Sequence, residues 1–291
     1  MKNEQIAFLT WDGPPSNYVA VCVESLCQQN SQCRIIFYYQ DEEFRSSLLR
    51  LPAKQIEFRK LAVSDWNGRR MTHRVEILQA LAFEASLSSC VLSLDCDLYF
   101  QDDPFKIFLD HKNSDLIYTT CMMSEYHDVE YPVNGGVFGI RVNKRSKFLL
   151  NFWLLNRENP TWAQWMNYSL RQEHKHHYPD WFFDQDFLNC IHRHPLPFEI
   201  AVTDAGSKYN YYTSKKGFYN REIEMGLKIG DPSYPIIHWK GFWKSFYNIE
   251  DPQIYNLKNL QSRKKLYRWK NKRALTKIIK SRLVDGKYPW I

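Results

Sequence analysis

The sequence predicts an α/β domain built on a mostly parallel central sheet. Three observations carry that expectation. Strand-like segments are short and continuously apolar, as in Ile35-Ile36-Phe37-Tyr38-Tyr39, the pattern of strands covered on both faces. Through the first hundred residues they alternate with segments of helical spacing. Such alternation implies parallel strands joined by right-handed crossovers. The fourth strand-like run, Cys90-Val91-Leu92-Ser93-Leu94, ends in a carboxylate pair, Asp95-Cys96-Asp97. Sheets of this class bind ligands at such carboxyl ends.

The elements follow in order. Ile6–Thr10 forms the first expected strand, and a Pro-containing loop over Asp12–Asn17 leads out of it. Tyr18–Gln29 has helical spacing, with Val19, Val23 and Leu26 on one face. Cys33–Tyr39 is the second strand, Asp41–Leu51 a helix and Ile56–Leu61 the third strand. Met71–Ser86 is a strong helix whose stripe is Val75, Leu78 and Ala82. Beyond Asp97 the alternation is less regular. Pro104–His111 reads as a short helix, Leu116–Cys121 as a strand, and Asn134–Arg141 as a Gly-rich turn running into a strand. Ser146–Asn156 and Thr161–Gln172 read as helices, as does Trp181–Cys190, with Asp184-Gln185-Asp186 in its first turns. Pro235-Ile236-Ile237 is a brief strand ending at His238. Without an internal repeat or a low-complexity linker, the expectation is one domain over residues 1–256 and a tail over 257–291.

Composition narrows the setting. The 291 residues are 44% hydrophobic, enough to bury a sizeable core. No apolar run approaches the ~20 residues that span a bilayer. Met1-Lys2-Asn3-Glu4-Gln5 leads straight into a strand-like run without a signal-peptide core. The expectation is a chain that is neither secreted by that route nor embedded in a membrane. Seven cysteines are scattered without a Cys-x-x-Cys pair, which argues against a zinc ribbon or disulfide scaffold and for buried reduced thiols in a cytosolic compartment. The net charge of +7 belongs to one end. Residues 257–291 hold twelve Lys and Arg against one acid, a net +11, and the rest holds 27 basic and 31 acidic residues, a net −4.

Two carboxylates one residue apart at a buried strand end repel unless a cation lies between them. A divalent ion held by two carboxylates and by substrate phosphates satisfies them. The plainer reading of Asp-x-Asp is a solvated turn or a helix cap. The motif's place at a strand's carboxyl end favours the ion. Three further motifs stand beside it: Asn134-Gly135-Gly136-Val137-Phe138, Phe183-Asp184-Gln185-Asp186-Phe187-Leu188-Asn189, and Ile237-His238-Trp239-Lys240-Gly241-Phe242-Trp243-Lys244.

In this order and spacing the four motifs resemble the GT-A glycosyltransferases. The likeness is strongest to the retaining, family-8-like branch, which includes glycogenin and the bacterial lipooligosaccharide α-galactosyltransferases, and it covers about residues 6 to 246. It implies metal-dependent transfer of a sugar from a nucleotide diphosphate donor, here UDP-linked, to a glycan acceptor. Asp95, Asp97 and His238 would hold Mn²⁺ or Mg²⁺. Gly241 would let the backbone approach the diphosphate and Lys244 would pair with its oxygens. Asn134 would contact the donor sugar or the acceptor, and Asp184 would hold sugar hydroxyls. Gln185 would lie beneath the anomeric carbon. Thr10 and Asp12 would meet the uracil and ribose, with Tyr18 stacked on the base. Arg74 is the nearest match to the basic residue on the helix before the Asp-x-Asp strand, with Arg69 and Arg70 as alternatives. The family's motif usually ends Lys-Pro-Trp, whereas this chain has Lys244-Ser245-Phe246, so a looser or differently closing loop is expected.

The same residues have plainer readings. A lone His238 would be a hydrogen-bonded core histidine, Asp184 a helix cap, and Gly135-Gly136 only a turn. His174-Lys175-His176-His177 reads as a solvated or acceptor-facing loop rather than a metal tract. One or two of Trp162, Trp165, Trp181 and Trp243 would line an acceptor cleft. In the tail, Leu257–Leu283 mixes apolar and basic residues at helical spacing, which suits an anionic membrane surface. Nucleic acid is its rival there, and nothing in the body of the chain favours nucleic acid. A cytoplasmic protein, peripheral at the inner membrane face with a lipid-linked glycan acceptor, follows from the tail. Competing functions are an inverting GT-A transferase with Asp186 or Glu125 as base, a metal-dependent phosphatase, and a catalytically silent glycan-binding relative. The phosphatase would want its Asp-x-Asp at the first strand rather than the fourth.

Overall fold

The structure, a computed structural model, describes residues 3–11, 17–40, 42–48, 55–61, 72–120, 133–155, 183–193, 195–211, 228 and 230–238. Asp12, Gly241, Lys244, the helix expected over 161–172 and the basic tail lie outside them. So do Arg69, Arg70, Glu125, the His174–His177 tract and the four tryptophans named for an acceptor cleft.

Strands β1 (Gln5–Trp11), β2 (Arg34–Tyr39), β3 (Ile56–Lys60) and β4 (Cys90–Leu94) alternate with helices α1 (Asn17–Gln29), α2 (Glu42–Leu48) and α3 (Thr72–Glu84). All four strands run parallel, β2 and β4 flanking β1 and β3 lying outside β2. The alternation read from the sequence is therefore the fold. It also creates a switch point. The chain builds β2 and β3 on one side of β1, then crosses to place β4 on the other, so the carboxyl ends of β1 and β4 border a crevice.

The second half adds β5 (Leu98–Phe100), α4 (Lys106–Asp110), β6 (Leu116–Thr120), β7 (Val133–Arg141), α5 (Lys144–Leu155), α6 (Phe183–Arg193), β8 (Val202–Asp204) and β9 (Ile236–His238). The seven-stranded order is β3-β2-β1-β4-β7-β6-β8. Only β7 is reversed, pairing antiparallel with β4 and β6, while β6 and β8 are parallel. The sheet is mostly parallel, as expected.

Period-two alternation sends β1 side chains to two cores. Ala7 and Leu9 pack with Val19, Val23 and Leu26 of α1 and with Leu98 and Phe100 of β5. Ile6 and Phe8 pack with the α3 stripe Val75, Leu78 and Ala82 and with Leu149, Leu150 and Trp153 of α5. Trp153 stacks on Phe187 of α6 with centroids 3.9 Å apart, which pins the α6 helix beside the sheet.

One expectation is corrected, and two strands are added that the sequence reading did not name. Gly135-Gly136 is not a turn but the interior of β7, carried through as a bulge between the residues that β6 pairs on either side, Val133–Asn134 and Phe138–Ile140. The residues after Asp97 form β5, which pairs antiparallel with β9. The segment at Val202–Asp204, unremarked in the sequence, completes the sheet beside β6. The five described cysteines are free, with Cys22, Cys33, Cys90 and Cys96 buried, as the scattered spacing implies. Among the described residues no helix is long and apolar enough to cross a membrane.

Candidate active site

Asp95 and Asp97 occupy the turn between β4 and β5, at the crevice. Antiparallel pairing sets Leu98 opposite His238, so the backbone alone brings the imidazole beside the residue preceding Leu98. His238 Nε2 lies 3.1 Å from Asp97 Oδ1 and 3.5 Å from Asp95 Oδ2. Ligand atoms of the three residues all fall within 4.8 Å of one another. Two carboxylates are hard oxygen donors and the imidazole a borderline nitrogen donor, a mixed O/N set that fits a divalent cation such as Mn²⁺ or Mg²⁺. The surroundings of the imidazole fit as well, since His238 Nδ1 is 2.9 Å from Asn210 Oδ1 and the opposite ring nitrogen is turned to the carboxylates.

The turn is held from beneath. The Asp95 N–H donates to the Gly136 carbonyl at 2.9 Å. The Cys96 thiol donates to the Thr10 carbonyl at 3.2 Å, and the Cys22 thiol to the Asp95 carbonyl at 3.6 Å. Thr10, expected in the nucleotide pocket, thus stands at the end of β1 directly against the Asp-x-Asp turn.

Arg74 enters the site from the first turn of α3. Its Nη1 is 2.9 Å from Asp95 Oδ1 and 3.1 Å from Asp184 Oδ2. Nε and Nη2 donate to Ser93 Oγ at 3.0 and 2.8 Å, and the guanidinium lies over the Phe138 ring, 5.0 Å from its centroid. The cation that the carboxylate pair requires is therefore, for Asp95, partly supplied by the protein. A single planar fork bonds both carboxylates and a hydroxyl in a site where Arg74 is 3% and Asp184 2% exposed.

Asp184 and Gln185 open α6. Asp184 Oδ1 accepts the Gln185 N–H at 2.7 Å, a bond to the next residue within the first turn of α6. Burial pushes the Asp184 carboxyl up, Arg74 pulls it down, and the Asp95 charge pushes it up again, leaving it at about 6. Gln185 Oε1 accepts the Gly135 N–H at 3.2 Å.

The glycine pair lets these parts meet. The β6–β7 register shifts between Tyr118 and Thr119, so that Tyr118 faces Phe138 and Thr119 faces Asn134. The intervening residues bulge out of the ladder toward the site. A Cβ on Gly136 would lie 2.6 Å from His238 Cε1 and 2.8 Å from Asn134 Oδ1. No larger residue fits there without moving the imidazole.

The structure therefore brings Asp95, Asp97, His238, Arg74, Asp184, Gln185 and Asn134 into one connected group, with Thr10 at its edge. The side chains of Tyr18 and Asp186, and all of Asp12, Gly241 and Lys244, lie outside what is described. Sequence reasoning misses Ser93, Asn210 and Thr119. Ser93 is the single polar residue in the apolar run Cys90–Leu94, which is a usable signal. Asn210, flanked by aromatic residues, carries no such mark.

A sequence-family model described as nucleotide-diphospho-sugar transferase matches residues 53–219, more than half of the chain. No curated protein sequence matches. Among solved structures, the chain is similar to the galactosyltransferase LgtC in complex with donor and acceptor sugar analogs. Identity there is 18% over 96% of this chain and 97% of that one, with a TM-score of 0.47. It is also similar to mouse xyloside xylosyltransferase 1 in its apo form, with 14% identity over 81% of this chain and 98% of that one and a TM-score of 0.50. With the family match and the reversed strand β7 between two parallel blocks, the chain belongs to the nucleotide-diphospho-sugar transferases, glycosyltransferases of the GT-A fold.

Proposed function

We propose that this glycosyltransferase uses a divalent cation, Mn²⁺ or Mg²⁺, to transfer a sugar from a UDP-linked donor to a glycan acceptor with retention of the anomeric configuration. The observation that carries the reading is the convergence of Asp95, Asp97 and His238 at the β1/β4 crevice. The cation would supply positive charge for the departing diphosphate oxygens.

The chain's own residues do the rest. Asp95 and Asp97 turn their oxygens and His238 its Nε2 toward one point. Arg74 holds Asp95 and Asp184 in fixed relation, so the cation ligands and the sugar-binding carboxylate share one rigid support. Asp184, anionic above pH about 6, accepts hydrogen bonds from donor-sugar hydroxyls. Asn134 contacts the donor sugar or the acceptor. Thr10, Asp12 and Tyr18 take the uridine, and Gly241 and Lys244 take the diphosphate.

The retaining reading rests on the resemblance to the retaining branch; Asp186 and Glu125, the bases an inverting enzyme would use, lie outside the described side chains, and the described carboxylate is already occupied. Inversion needs a carboxylate base free to take the acceptor proton. Asp184 is committed to Arg74 and to the Gln185 N–H. Gln185 is an amide, and its oxygen already accepts the Gly135 N–H, which lowers its nucleophilicity. The reaction therefore runs on one face. The anomeric C–O bond to the diphosphate breaks, the acceptor oxygen bonds to the same face, and its proton passes to a leaving diphosphate oxygen. The amide dipole of Gln185 stabilises positive charge at the anomeric carbon.

The acceptor follows from the tail. Its net +11 with interleaved Leu, Trp, Tyr and Ile suits an anionic bilayer surface at the cytoplasmic face and points to a lipid-linked or cell-surface glycan. A thermal-shift screen of nucleotide sugars with Mn²⁺ tests the donor reading. A UDP-sugar should raise the melting temperature only with the metal, since a ligand at 100 times its Kd adds about 2.7 kcal/mol. A shift that is equal without metal would count against it. NMR of the product anomer then separates retention from inversion.

A further inference from the structure

Asn210 is 0% exposed and sits where three parts of the fold meet. It follows the 3-10 turn Gly206–Tyr209 and precedes Tyr211. The Tyr211 N–H donates to Ile236, and the Tyr211 carbonyl accepts the His238 N–H at 2.9 Å, which sets Asn210 beside the imidazole. Its side chain spans the gap between His238 and the β7 bulge. Oδ1 is 2.9 Å from His238 Nδ1, and Nδ2 is 2.8 Å from Thr119 Oγ1 and 3.0 Å from Asn134 Oδ1.

The direction of every bond in this chain is fixed by one backbone group. The Gly136 N–H can only donate, and it donates to the Asn134 side chain at 2.8 Å, so that atom is the amide oxygen. An oxygen there requires a donor from Asn210, so the amino end of Asn210 faces Asn134. Thr119 agrees, since its hydroxyl donates to the Val137 carbonyl at 2.9 Å and is left to accept from Asn210. The remaining end of Asn210 is its carbonyl oxygen, and only an N–H can face it. His238 therefore donates through Nδ1, and its Nε2, 3.1 Å from Asp97 Oδ1 and 3.5 Å from Asp95 Oδ2, faces two acceptors that a cation held between them would satisfy. The opposite tautomer would set two acceptors 2.9 Å apart in a buried site.

We propose that Asn210 is a positioning residue that selects the His238 tautomer for cation binding and joins the cation site to Asn134. The inference rests on reading Asp95, Asp97 and His238 as a divalent-cation site. One amide then serves both halves of the donor site. Its oxygen keeps the histidine lone pair aimed at the cation, and its nitrogen fixes which end of the Asn134 amide is left for a ligand.

The test is Mn²⁺ binding to the full chain, followed by the EPR signal of free Mn²⁺ with and without UDP. It is paired with ¹⁵N NMR of histidine-labelled protein, in which the two imidazole tautomers have distinct signatures. Asn210→Leu should weaken Mn²⁺ about 10–100-fold and remove the Nδ1–H signature assigned to His238. Asn210→Asp keeps an acceptor for Nδ1–H, so it should bind Mn²⁺ within about threefold of wild type. Because it loses the amino group that holds Asn134, its donor KM should rise. Unchanged Mn²⁺ affinity in Asn210→Leu overturns the proposal. So does equal loss in both variants with the tautomer signature intact, which would mean packing alone. If Asn210→Leu does not fold, Asn210→Asp decides by itself, and a tenfold loss of Mn²⁺ there counts against the inference. If wild type binds Mn²⁺ and Asp97→Ala binds it equally, the cation reading has failed. If Asp97→Ala loses Mn²⁺ while Asn210→Leu keeps it, only the inference has failed.

Discussion

Arg74 connects two carboxylates to which the proposed mechanism gives different roles, and it does so through one nitrogen. Lys in its place would carry the charge but not the fork that also engages Ser93. Arg74→Lys should therefore lower kcat/KM about 10–100-fold while the protein stays folded, as circular dichroism would show. Arg74→Met removes the charge and leaves Asp184 buried and unpaired, which should destabilise the protein by about 3 kcal/mol in urea denaturation. Equal activity of Arg74→Lys and wild type would mean that the fork is irrelevant. Asp184 makes a pH prediction. Its folded value of about 6 lies above the ordinary carboxylate range, so the folded state binds the proton more tightly than the unfolded state. The stability this contributes is present at pH 4 and lost as pH rises through about 6. Between those limits, wild type should lose about 2–3 kcal/mol relative to Asp184→Asn, which does not titrate. Parallel stability curves for the two proteins would contradict this assignment. Over the same range, activity should rise as the carboxylate ionises and becomes able to accept sugar hydroxyls.

At the scale of elements, the glycines of β7 separate site from scaffold. Gly136→Ala drives a Cβ into His238, so Mn²⁺-dependent activity should fall by at least about a hundredfold with a modest change in melting temperature. Gly139→Ala drives a Cβ into the Val91 carbonyl in the β4–β7 ladder, and there the backbone itself must move. That variant should lose about 1–3 kcal/mol or more of stability. Measuring both properties in both variants checks the division. It fails if Gly139→Ala proves as stable as wild type. These elements also show what the sequence can and cannot disclose. The four parallel strands are legible because their apolar runs and the α3 stripe are local patterns. The Gly pair misleads because glycines mark turns locally, while pairing of the residues before and after it carries this one through a strand as a bulge. The reach of Arg74 is hidden because it depends on how α3 is rotated against β4, and sequence spacing does not encode rotation. Asn210 is hidden for a further reason. Its partners Thr119 and Asn134 are 91 and 76 residues away, and nothing in a single sequence ties an isolated amide to them.

At the scale of the whole molecule, charge and chemistry occupy different parts of the chain. The body is net −4 and the last 35 residues, 257–291, net +11. A negative body gains no attraction to anionic lipid, so membrane binding should reside in the tail. Deleting 257–291 should abolish sedimentation with anionic liposomes while sparing turnover of a soluble acceptor, and high salt should release the intact chain. Retention of the truncated protein on liposomes would place the contact elsewhere. The metal triad is legible in the sequence as separate motifs 141 residues apart. What joins them is the pairing of β5 with β9, a contact visible only in the fold. The crevice between β1 and β4 gives that joint its meaning, because it sets the three ligands at the place where a parallel sheet opens to a ligand.

The central claim is that Asp95, Asp97 and His238 hold the cation that makes sugar transfer possible. The most direct measurement is UDP release from UDP-sugars as Mn²⁺ is titrated, in wild type and in Asp97→Ala. The account predicts turnover that requires Mn²⁺, is lost on chelation, and falls at least about a hundredfold in Asp97→Ala. Full turnover in chelator, or an Asp97→Ala variant as active as wild type, would contradict it.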